Sequence, residues 1–272
     1  MVFLENFIFQ LLFSFGIIIA FGFLIAELNR AWCRMLGSKG LIAMRVTGIV
    51  GTPIHETGHA IFCLIFGHKI VDMKLYQIDN NTGIMGYVNH SFNKKNIYHQ
   101  IGNFFIGVGP IIFGSLVLMG LMFLLIPDTF KQIFSALNSI DGISFSVFDG
   151  NTYLQMITLF SNIFLSIFSL SNFTNWLWWI FIILGILIAT HMTLSKADIE
   201  GSVWGFVVLV ALMLIADAII YFISPSLLVK VTTLIVKCSF YIISLLAIGV
   251  IVLLLLLLLT FIFGGFKLRR NS

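Results

Sequence analysis

Charged residues are scarce in this chain. Only 10% of its 272 residues are Asp, Glu, Lys or Arg, 60% are hydrophobic, and the mean hydropathy is +1.09. A water-soluble domain of this length carries roughly a quarter charged residues, so the composition excludes an ordinary soluble protein and predicts an integral membrane protein in a lipid bilayer. The small excess of 15 Lys and Arg over 11 Asp and Glu collects beside apolar segments as membrane anchors, and nucleic-acid binding is not implied.

Cysteines are also few, and their positions exclude two kinds of site. Cys33, Cys63 and Cys238 are far apart and form no CxxC pair, so neither a disulfide framework nor a thiolate zinc site is predicted. No repeat of 20 to 50 residues and no appended soluble sensor domain is apparent. The first apolar segment has no Lys or Arg before it and no small-residue cleavage site after it, so we expect a retained span rather than a cleaved signal peptide.

Long apolar runs are abundant, and six of them are long enough to cross a bilayer: 7–26, 46–66, 103–126, 176–190, 203–223 and 239–263. A seventh segment, 153–170, is interrupted by polar residues, so it either spans, lies in the interface or re-enters among other helices. The polar stretch 127–151 is expected to connect helices outside the membrane or to form a short surface helix.

The polar stretch 67–100 predicts a β-hairpin. It alternates between apolar and polar residues at 70–78 and 84–89, and Asn and Gly residues between these runs suit a tight turn. The predicted fold is therefore an all-α polytopic membrane protein, a single membrane domain over residues 1–272. It has six to seven transmembrane helices and a small β-hairpin between the second and third spans.

One short motif places ionisable groups inside an apolar run: His55-Glu56-Thr57-Gly58-His59, an HExxH pattern in the second predicted span. Positions i and i+4 of a helix share a face, so both imidazoles can bind one metal ion, and Glu56 would lie beside a metal-activated water. With six histidines in the chain, a shuffled sequence contains this pattern with a probability of roughly two in a thousand. Because ionisable groups are costly in lipid unless they have partners and a purpose, we expect zinc at His55 and His59 rather than two structural histidines.

The residues before the motif predict a change in the helix. Thr52 and Pro53 suit an N-cap and a first helical turn, or else mark a kink in a longer span. Small residues in the same span, which allow neighbouring helices to pack closely, are Gly48, Gly51, Gly58 and Ala60.

A catalytic zinc site needs a third protein ligand in addition to the two histidines. The junction between two late spans offers His191, Asp198 and Glu200, and Asp217 lies deep in the next span. We favour Asp198. Asp217 is second, because it is isolated among apolar residues, where an ionisable group is by default functional or paired. Ser195 and Asp198 also match a helix-capping pattern that alone would account for both residues. The third ligand is thus open between Asp198, Asp217 and His191.

Together these features resemble the site-2 protease family of intramembrane zinc metalloproteases. The resemblance covers about residues 46–205: HExxH in a transmembrane segment, a polar β-like stretch, Gly109-Pro110 in the following span, and a late aspartate before a glycine. It implies His55, His59 and Asp198 as zinc ligands and Glu56 as the general base. The chain departs from the family at Asp198-Ile199-Glu200-Gly201, where the family has Leu-Asp-Gly. It also has Phe113 in place of the family's asparagine, and Asn103, about two turns upstream, is the residue we expect to substitute for it.

The resemblance implies an intramembrane zinc metalloendopeptidase that cleaves membrane-anchored protein or peptide segments, as a multi-pass protein of the bacterial inner membrane. The hairpin would then either hold an extended substrate against a strand edge, at 76–78 or 86–88, or merely cover the site. Two other functions use the same residues: a metal-binding transporter or sensor without hydrolysis, and a zinc hydrolase of a non-peptide substrate. His68, His90 and His99, which flank the hairpin, are expected to be solvated loop residues.

Overall fold

The computed structural model describes residues 2–79, 83, 85–138 and 150–268, which are predominantly helical with one two-stranded sheet. The helices are α1 (Val2–Leu11), α2 (Ile17–Leu36), α3 (Gly40–Ile65), α4 (Ile97–Leu125), α5 (Pro127–Asn138), α6 (Gly150–Ile167), α7 (Leu170–Phe173), α8 (Trp176–Ala189), α9 (Lys196–Ile223) and α10 (Pro225–Leu268). The strands are β1 (Lys69–Lys74) and β2 (Tyr87–Ser91). The prediction of a helical protein with a small hairpin is confirmed.

Four helical stretches in the described part of the chain are long and apolar enough to cross a membrane: Val2–Ile65, Ile97–Leu125, Lys196–Ile223 and Pro225–Phe263. A shorter apolar helix, Trp176–Ala189, has 14 residues. These helices are compatible with a multi-pass integral membrane protein. The first stretch contains α1, α2 and α3, joined by a π-helical turn at Leu12–Gly16 and a 3-10 turn at Gly37–Lys39.

Two long helices begin earlier than their apolar runs suggest. Helix α4 begins at Ile97, where the side chain of Asn96 accepts a hydrogen bond from a first-turn backbone N–H, and α9 begins at Lys196 after the cap residue Ser195. The first backbone N–H groups of a helix need such partners. Polar cap and first-turn residues therefore extend both helices beyond the part that hydropathy detects.

Helix α3 carries the HExxH motif in its second half. It runs from Gly40 to Ile65 with Pro53 inside it, so a helix start at Thr52 is wrong and the proline lies within a longer span. The carbonyl oxygen of Pro53 accepts a hydrogen bond of 2.6 Å from the hydroxyl of Thr57. The motif is therefore presented by one continuous helix.

The predicted hairpin is present with shorter strands than the alternation suggests. Strand β1 pairs antiparallel with β2, and the connection between them includes Gly83 at φ +74°. A positive φ strains residues with a side chain, which is why glycine suits this position. The predicted turn residues 80–82 lie outside the described residues. The first part of the polar stretch 127–151 forms α5, and its residues 139–149 also lie outside the described residues.

Helix α4 lies between the two helices that carry the predicted metal ligands, and it packs against both α3 and α9. A Cβ atom on Gly58 of α3 would lie 2.9 Å from the carbonyl oxygen of Gly109 in α4. A Cβ atom on Gly107 of α4 would lie 2.6 Å from the carbonyl oxygen of Asp198 and would overlap the hydroxyl of Ser202. Small residues at these contacts therefore allow α3 and α9 to approach α4 closely.

The hydrophobic core lies among α4, α8 and α10. Its fully buried side chains include Ile111, Leu118, Trp178, Phe181 and Leu246. The indole N–H of Trp178 donates a hydrogen bond of 2.8 Å to the carbonyl oxygen of Ile167, so the largest core side chain has its polar group satisfied. This core supports α4 behind the ligand-bearing helices.

Candidate metal centre

The two motif histidines lie one turn apart on α3 and face each other. Their Nε2 atoms are 3.2 Å apart, and their ring centroids are 4.9 Å apart. This is the arrangement expected for positions i and i+4 on one helix face. The local part of the predicted site therefore forms within a single helix.

Each of these histidines has its Nδ1 atom bonded to a backbone carbonyl. Nδ1 of His55 lies 2.7 Å from the carbonyl oxygen of His191, and Nδ1 of His59 lies 2.7 Å from that of Ile106. A carbonyl oxygen only accepts, so both Nδ1 atoms donate, and each neutral ring keeps a lone pair on Nε2. Two lone pairs facing each other at 3.2 Å repel, and a cation between them removes that repulsion. Proteins orient metal-binding histidines in this way.

Asp198 lies in the first turn of α9 and meets the histidines from the other side. Its Oδ1 atom is 3.3 Å from Nε2 of His59. Its Oδ2 atom accepts a hydrogen bond of 2.8 Å from the backbone N–H of Ser195, whose hydroxyl accepts one of 3.1 Å from the N–H of Asp198. This is a complete capping box. The two interpretations of Asp198, cap and ligand, are compatible because each uses a different carboxylate oxygen.

The three side chains fit a metal ion such as zinc. Their ligand atoms all lie within 4.8 Å of one another. Tetrahedral zinc with bonds of about 2.05 Å to nitrogen and oxygen separates neighbouring ligand atoms by roughly 3.3 Å. The separations of 3.2 Å between the two Nε2 atoms and 3.3 Å between His59 and Asp198 match that spacing.

No protein-family model, curated protein or solved structure matches this chain. Among the described residues, the group that could hold an ion consists of three side chains, His55, His59 and Asp198.

His191, one alternative third ligand, has its ring in a different set of contacts. The side chain is buried, with Nε2 3.0 Å from the hydroxyl of Thr47 and Nδ1 3.4 Å from the hydroxyl of Thr52. Its contribution to the metal centre is its backbone carbonyl, which accepts the hydrogen bond from His55. His191 therefore orients a ligand from outside the group of three.

Asp217 and Glu200 also lie outside this group. Asp217 is buried among α1, α9 and α10, where Oδ1 accepts a hydrogen bond of 3.1 Å from the side-chain amide of Gln10. Glu200 is exposed and pairs with Lys196 at 3.6 Å on the surface of α9. The structure thus brings Asp198, and neither of these two carboxylates, to His55 and His59.

The candidate metal centre opens into a cavity of about 700 Å³. Its lining comes from α3, the hairpin, α4 and the start of α9: His55, Glu56, His59, Gly86, Tyr87, Val88, Asn89, His90, Phe92, Asn103, Ile106, Gly107, Ser195, Lys196, Ala197, Asp198 and Gly201. The predicted base Glu56 and the predicted substitute Asn103 therefore share one cavity with the three ligands. A ligand entering the cavity meets β2 on one side and α9 on the other.

Glu56 is 6% exposed and lies beneath the chain segment that leads into β2. A Cβ atom on Gly86 would lie 2.8 Å from Cγ of Glu56 and 3.0 Å from its Oε1. Only glycine allows the backbone to pass so close to this carboxylate. The hairpin therefore covers Glu56 while leaving it in the cavity.

Three positions that build the site carry no motif in the sequence: Gly86, Gly107 and Ser202. Gly86 admits the hairpin to Glu56, whereas Gly107 and Ser202 let Asp198 approach α4. The hydroxyl of Ser202 also bonds the carbonyl oxygen of Asp198 at 2.5 Å. Small residues around Gly109-Pro110 and after Asp198 indicate in the sequence that helices pack closely there, but they do not indicate which helix each small residue faces.

Proposed function

We propose that this protein is an intramembrane zinc metalloendopeptidase of the site-2 protease type, which hydrolyses membrane-anchored protein or peptide segments. The observation that carries the proposal is the convergence of three groups with Glu56 in one cavity. Backbone carbonyls accept hydrogen bonds from Nδ1 of His55 and His59, which leaves a lone pair on each Nε2 atom. The Oδ1 atom of Asp198 lies beside these Nε2 atoms in the same cavity. A structural site would need a fourth protein ligand rather than a buried carboxylate next to an open position.

Zinc bound to these three residues would polarise a scissile carbonyl and make water acidic enough to lose a proton near neutral pH. Glu56 takes that proton and returns it to the leaving amine, so the peptide bond breaks with the addition of one water. The side-chain amide of Asn103, in the same cavity, is the group we assign to hydrogen-bond the carbonyl oxygen as negative charge develops on it.

The hairpin supports a peptide rather than a small molecule as substrate. In the described sheet, β2 pairs with β1 along one edge only, and residues 86–90 line the cavity. An extended peptide added along the free edge of β2 would expose its carbonyls to the metal centre, because a strand, unlike a helix, leaves alternate groups unpaired. This favours 86–88 over 76–78 as the substrate-holding edge.

The membrane topology we propose has six or seven crossings. Val2–Ile65 has 64 residues, about 96 Å of helix, which is far too long for one crossing of a core about 30 Å thick. Helix α2 ends at Leu36, and the following residue Gly37 has φ +54°, so we count two crossings before the hairpin. Helices α4, α8, α9 and α10 add four, and α6 would be the seventh. Through the family resemblance, we propose the bacterial inner membrane as the location.

Water can reach the centre because of its place along these helices. His59 is six residues before the end of α3 at Ile65, about 9 Å, and Asp198 is in the first turn of α9. The site therefore lies toward the hairpin end of both helices rather than midway along either one. Ionisable side chains at such a depth are tolerated where they line a cavity that contains water.

The test of this function is the Glu56→Gln variant in the full-length, zinc-loaded protein. We expect it to keep one zinc per chain and to lose cleavage of membrane-anchored peptides by at least about 100-fold, since proton transfer is removed while the ligands stay. Mass spectrometry of the products measures cleavage. Glu200→Gln is the matched control, because Glu200 is an exposed partner of Lys196, and it should cleave like the parent.

The alternative functions give different results in the same preparation. A transporter or sensor would bind zinc but yield no peptide products. It would move zinc across vesicle membranes, or change its state on binding zinc, equally in Glu56→Gln and Glu200→Gln. A hydrolase of non-peptide substrates would also leave the peptides intact. Peptide cleavage that persists in Glu56→Gln would contradict the assignment of the general base.

A further inference from the structure

The histidines that flank the hairpin form a cluster beside the metal centre. His68 follows α3, His90 is in β2 and His99 is in the first turn of α4. His68 is only 4% exposed, and its ring centroid lies 4.9 Å from that of His90 and 5.3 Å from that of His99. The expectation of a solvated loop residue is therefore wrong for His68, because the hairpin folds back over the end of α3.

The hydrogen positions in this cluster follow from its partners. Nε2 of His68 lies 2.9 Å from the carbonyl oxygen of His99, which only accepts, so Nε2 of His68 carries the hydrogen. A neutral imidazole has one N–H, so Nδ1 of His68 is an acceptor. Nδ1 of His90 lies 3.0 Å from that atom and must be the donor. His90 is therefore in the Nδ1–H form and its Nε2 atom carries no hydrogen.

The electrostatics of the cluster favour neutral rings. Burial is the largest cause that lowers the pKa of His68, with a smaller opposing effect from the His99 carbonyl. Burial also lowers the pKa of His90, and His68 and His59 lower it further. Both groups thus lose their charge more readily than a free histidine. The chain of donors and acceptors above is the one that neutral rings allow.

His90 belongs to the wall of the cavity that contains Glu56 and the three metal ligands. The two nitrogens of an imidazole point in divergent directions, and Nδ1 of His90 is turned to His68. Its Nε2 atom is directed away from His68, and no described residue bonds it. A hydrogen-free nitrogen on the cavity wall is an acceptor for a donor that enters with the substrate. A peptide held along β2 offers backbone N–H groups as such donors.

We propose that Nε2 of His90 accepts a hydrogen bond from a backbone N–H of the extended peptide substrate near the scissile bond, and that His68 is the positioning residue that fixes His90 in the Nδ1–H form. This inference rests on the proposed function, whose site and substrate class it extends. It adds a specificity rule: the residue that faces His90 needs a free N–H, so proline or an N-methylated residue is rejected at that position.

The first test reads the tautomer without any reaction. The full-length, zinc-loaded protein, labelled with ¹⁵N at its six histidines, is studied by NMR with long-range N–H correlations, and single substitutions assign the signals. We expect the Nδ1–H form for His90 and the Nε2–H form for His68. In His68→Phe the His90 signal should move toward the Nε2–H form. His99→Phe is the matched control, because it retains the backbone carbonyl, and it should leave His90 unchanged.

The second test measures binding in the Glu56→Gln background, where the peptide stays intact. The probes are single-span peptides with an extended segment, together with copies N-methylated at one backbone amide each. We expect one N-methyl position to weaken binding by roughly 2- to 10-fold, the loss of one neutral hydrogen bond. His90→Phe should weaken binding of the unmodified peptide by a similar factor and should abolish sensitivity to that N-methyl group. His99→Phe should retain both.

The outcomes separate this inference from the proposed function. A parent protein that cleaves no peptide, beside a Glu56→Gln form that shows the His90-dependent binding, contradicts the peptidase and supports the role of His90. Cleavage by the parent with no His90-dependent N-methyl position contradicts the role of His90 alone. Two results overturn the role of His90. One is an Nε2–H form of His90 in the parent protein, and the other is a Glu56→Gln protein that binds no peptide. Two zinc ions per chain, one of them lost in His68→Phe, would also overturn this role, because His68 and His90 would then form a second metal site.

Discussion

At the scale of single residues, the candidate metal centre depends on side chains that use two polar atoms for two purposes. His55 and His59 donate through Nδ1 to backbone carbonyls, which leaves Nε2 for a metal. Asp198 accepts from its helix cap through Oδ2 and faces His59 through Oδ1. The i, i+4 spacing predicted the histidine pair because both residues belong to one helix. The carbonyl partners come from distant segments, so no local pattern could predict them.

Replacement of Asp198 by Asn separates its two contacts. The Asn side chain has the same shape and can still accept the hydrogen bond from Ser195, but it lacks the charge that stabilises a divalent cation. We expect zinc affinity to fall by more than about 100-fold, because loss of an outer hydrogen-bond partner alone costs 10- to 100-fold. Competition with a zinc-binding dye measures the change.

Ser195→Ala is the control for this prediction. It removes the hydroxyl that caps α9, worth about 1 kcal/mol of helix stability, but leaves both carboxylate oxygens of Asp198. Zinc affinity should then change by less than about 10-fold. Equal losses of affinity in the two variants would mean that Asp198 acts only as a cap.

At the scale of helices and strands, α4 brings the three candidate ligands together, because it packs against α3, which carries the two histidines, and against α9, which carries Asp198. The sequence identified the apolar centres of these helices and the existence of the hairpin. The apolar runs begin after the starts of α4 and α9, because the first turns of both helices are polar and follow the cap residues Asn96 and Ser195. The capping pattern at Ser195 and Asp198 does mark the start of α9. The sequence did not identify Gly107, because a small residue allows close packing without indicating which helix will approach it.

Gly107→Ala tests the α4–α9 contact. The added Cβ would lie 2.6 Å from the carbonyl oxygen of Asp198 and would overlap the hydroxyl of Ser202, so α9 must move outward. We expect a loss of about 1 to 3 kcal/mol in stability, typical of overpacking, and weaker zinc binding because Asp198 moves with α9. Thermal unfolding and dye competition measure the two effects.

The control for this contact is Gly120→Ala on the same helix, where nothing lies within 4 Å of the added Cβ. Its stability should be unchanged or higher by up to about 1 kcal/mol, from the better helix propensity of alanine, and its zinc affinity should match that of the parent. Similar losses in both variants would show that α4 tolerates no added methyl group, and the assignment of a special contact at Gly107 would fail.

At the scale of the whole molecule, a bound ion would join two helices that are distant in the chain. His55 and His59 belong to α3 and Asp198 belongs to α9, and both helices contact α4. A ligand that binds only the folded state stabilises that state in proportion to the logarithm of its concentration. A bound metal ion is therefore expected to act as a tertiary cross-link between α3 and α9, in addition to the catalytic role proposed for it.

Removal of the metal should consequently lower thermal stability. Dialysis against a chelator is expected to lower the unfolding temperature. Zinc at 100 times its dissociation constant should restore about 2.7 kcal/mol. The His59→Ala variant should show no zinc-dependent shift, because it lacks the ligand between His55 and Asp198. A zinc-dependent shift that persists in His59→Ala would place the stabilising ion elsewhere in the chain.

The most direct test of the metal centre is X-ray absorption at the zinc edge of the protein purified in zinc-replete medium. We expect one zinc per chain, bound by two imidazole nitrogens and by oxygen at about 2.0 to 2.2 Å, with the imidazole signal lost in His59→Ala. Protein that is free of metal under these conditions, or zinc bound without two imidazoles, would contradict the assignment of His55, His59 and Asp198 as its ligands.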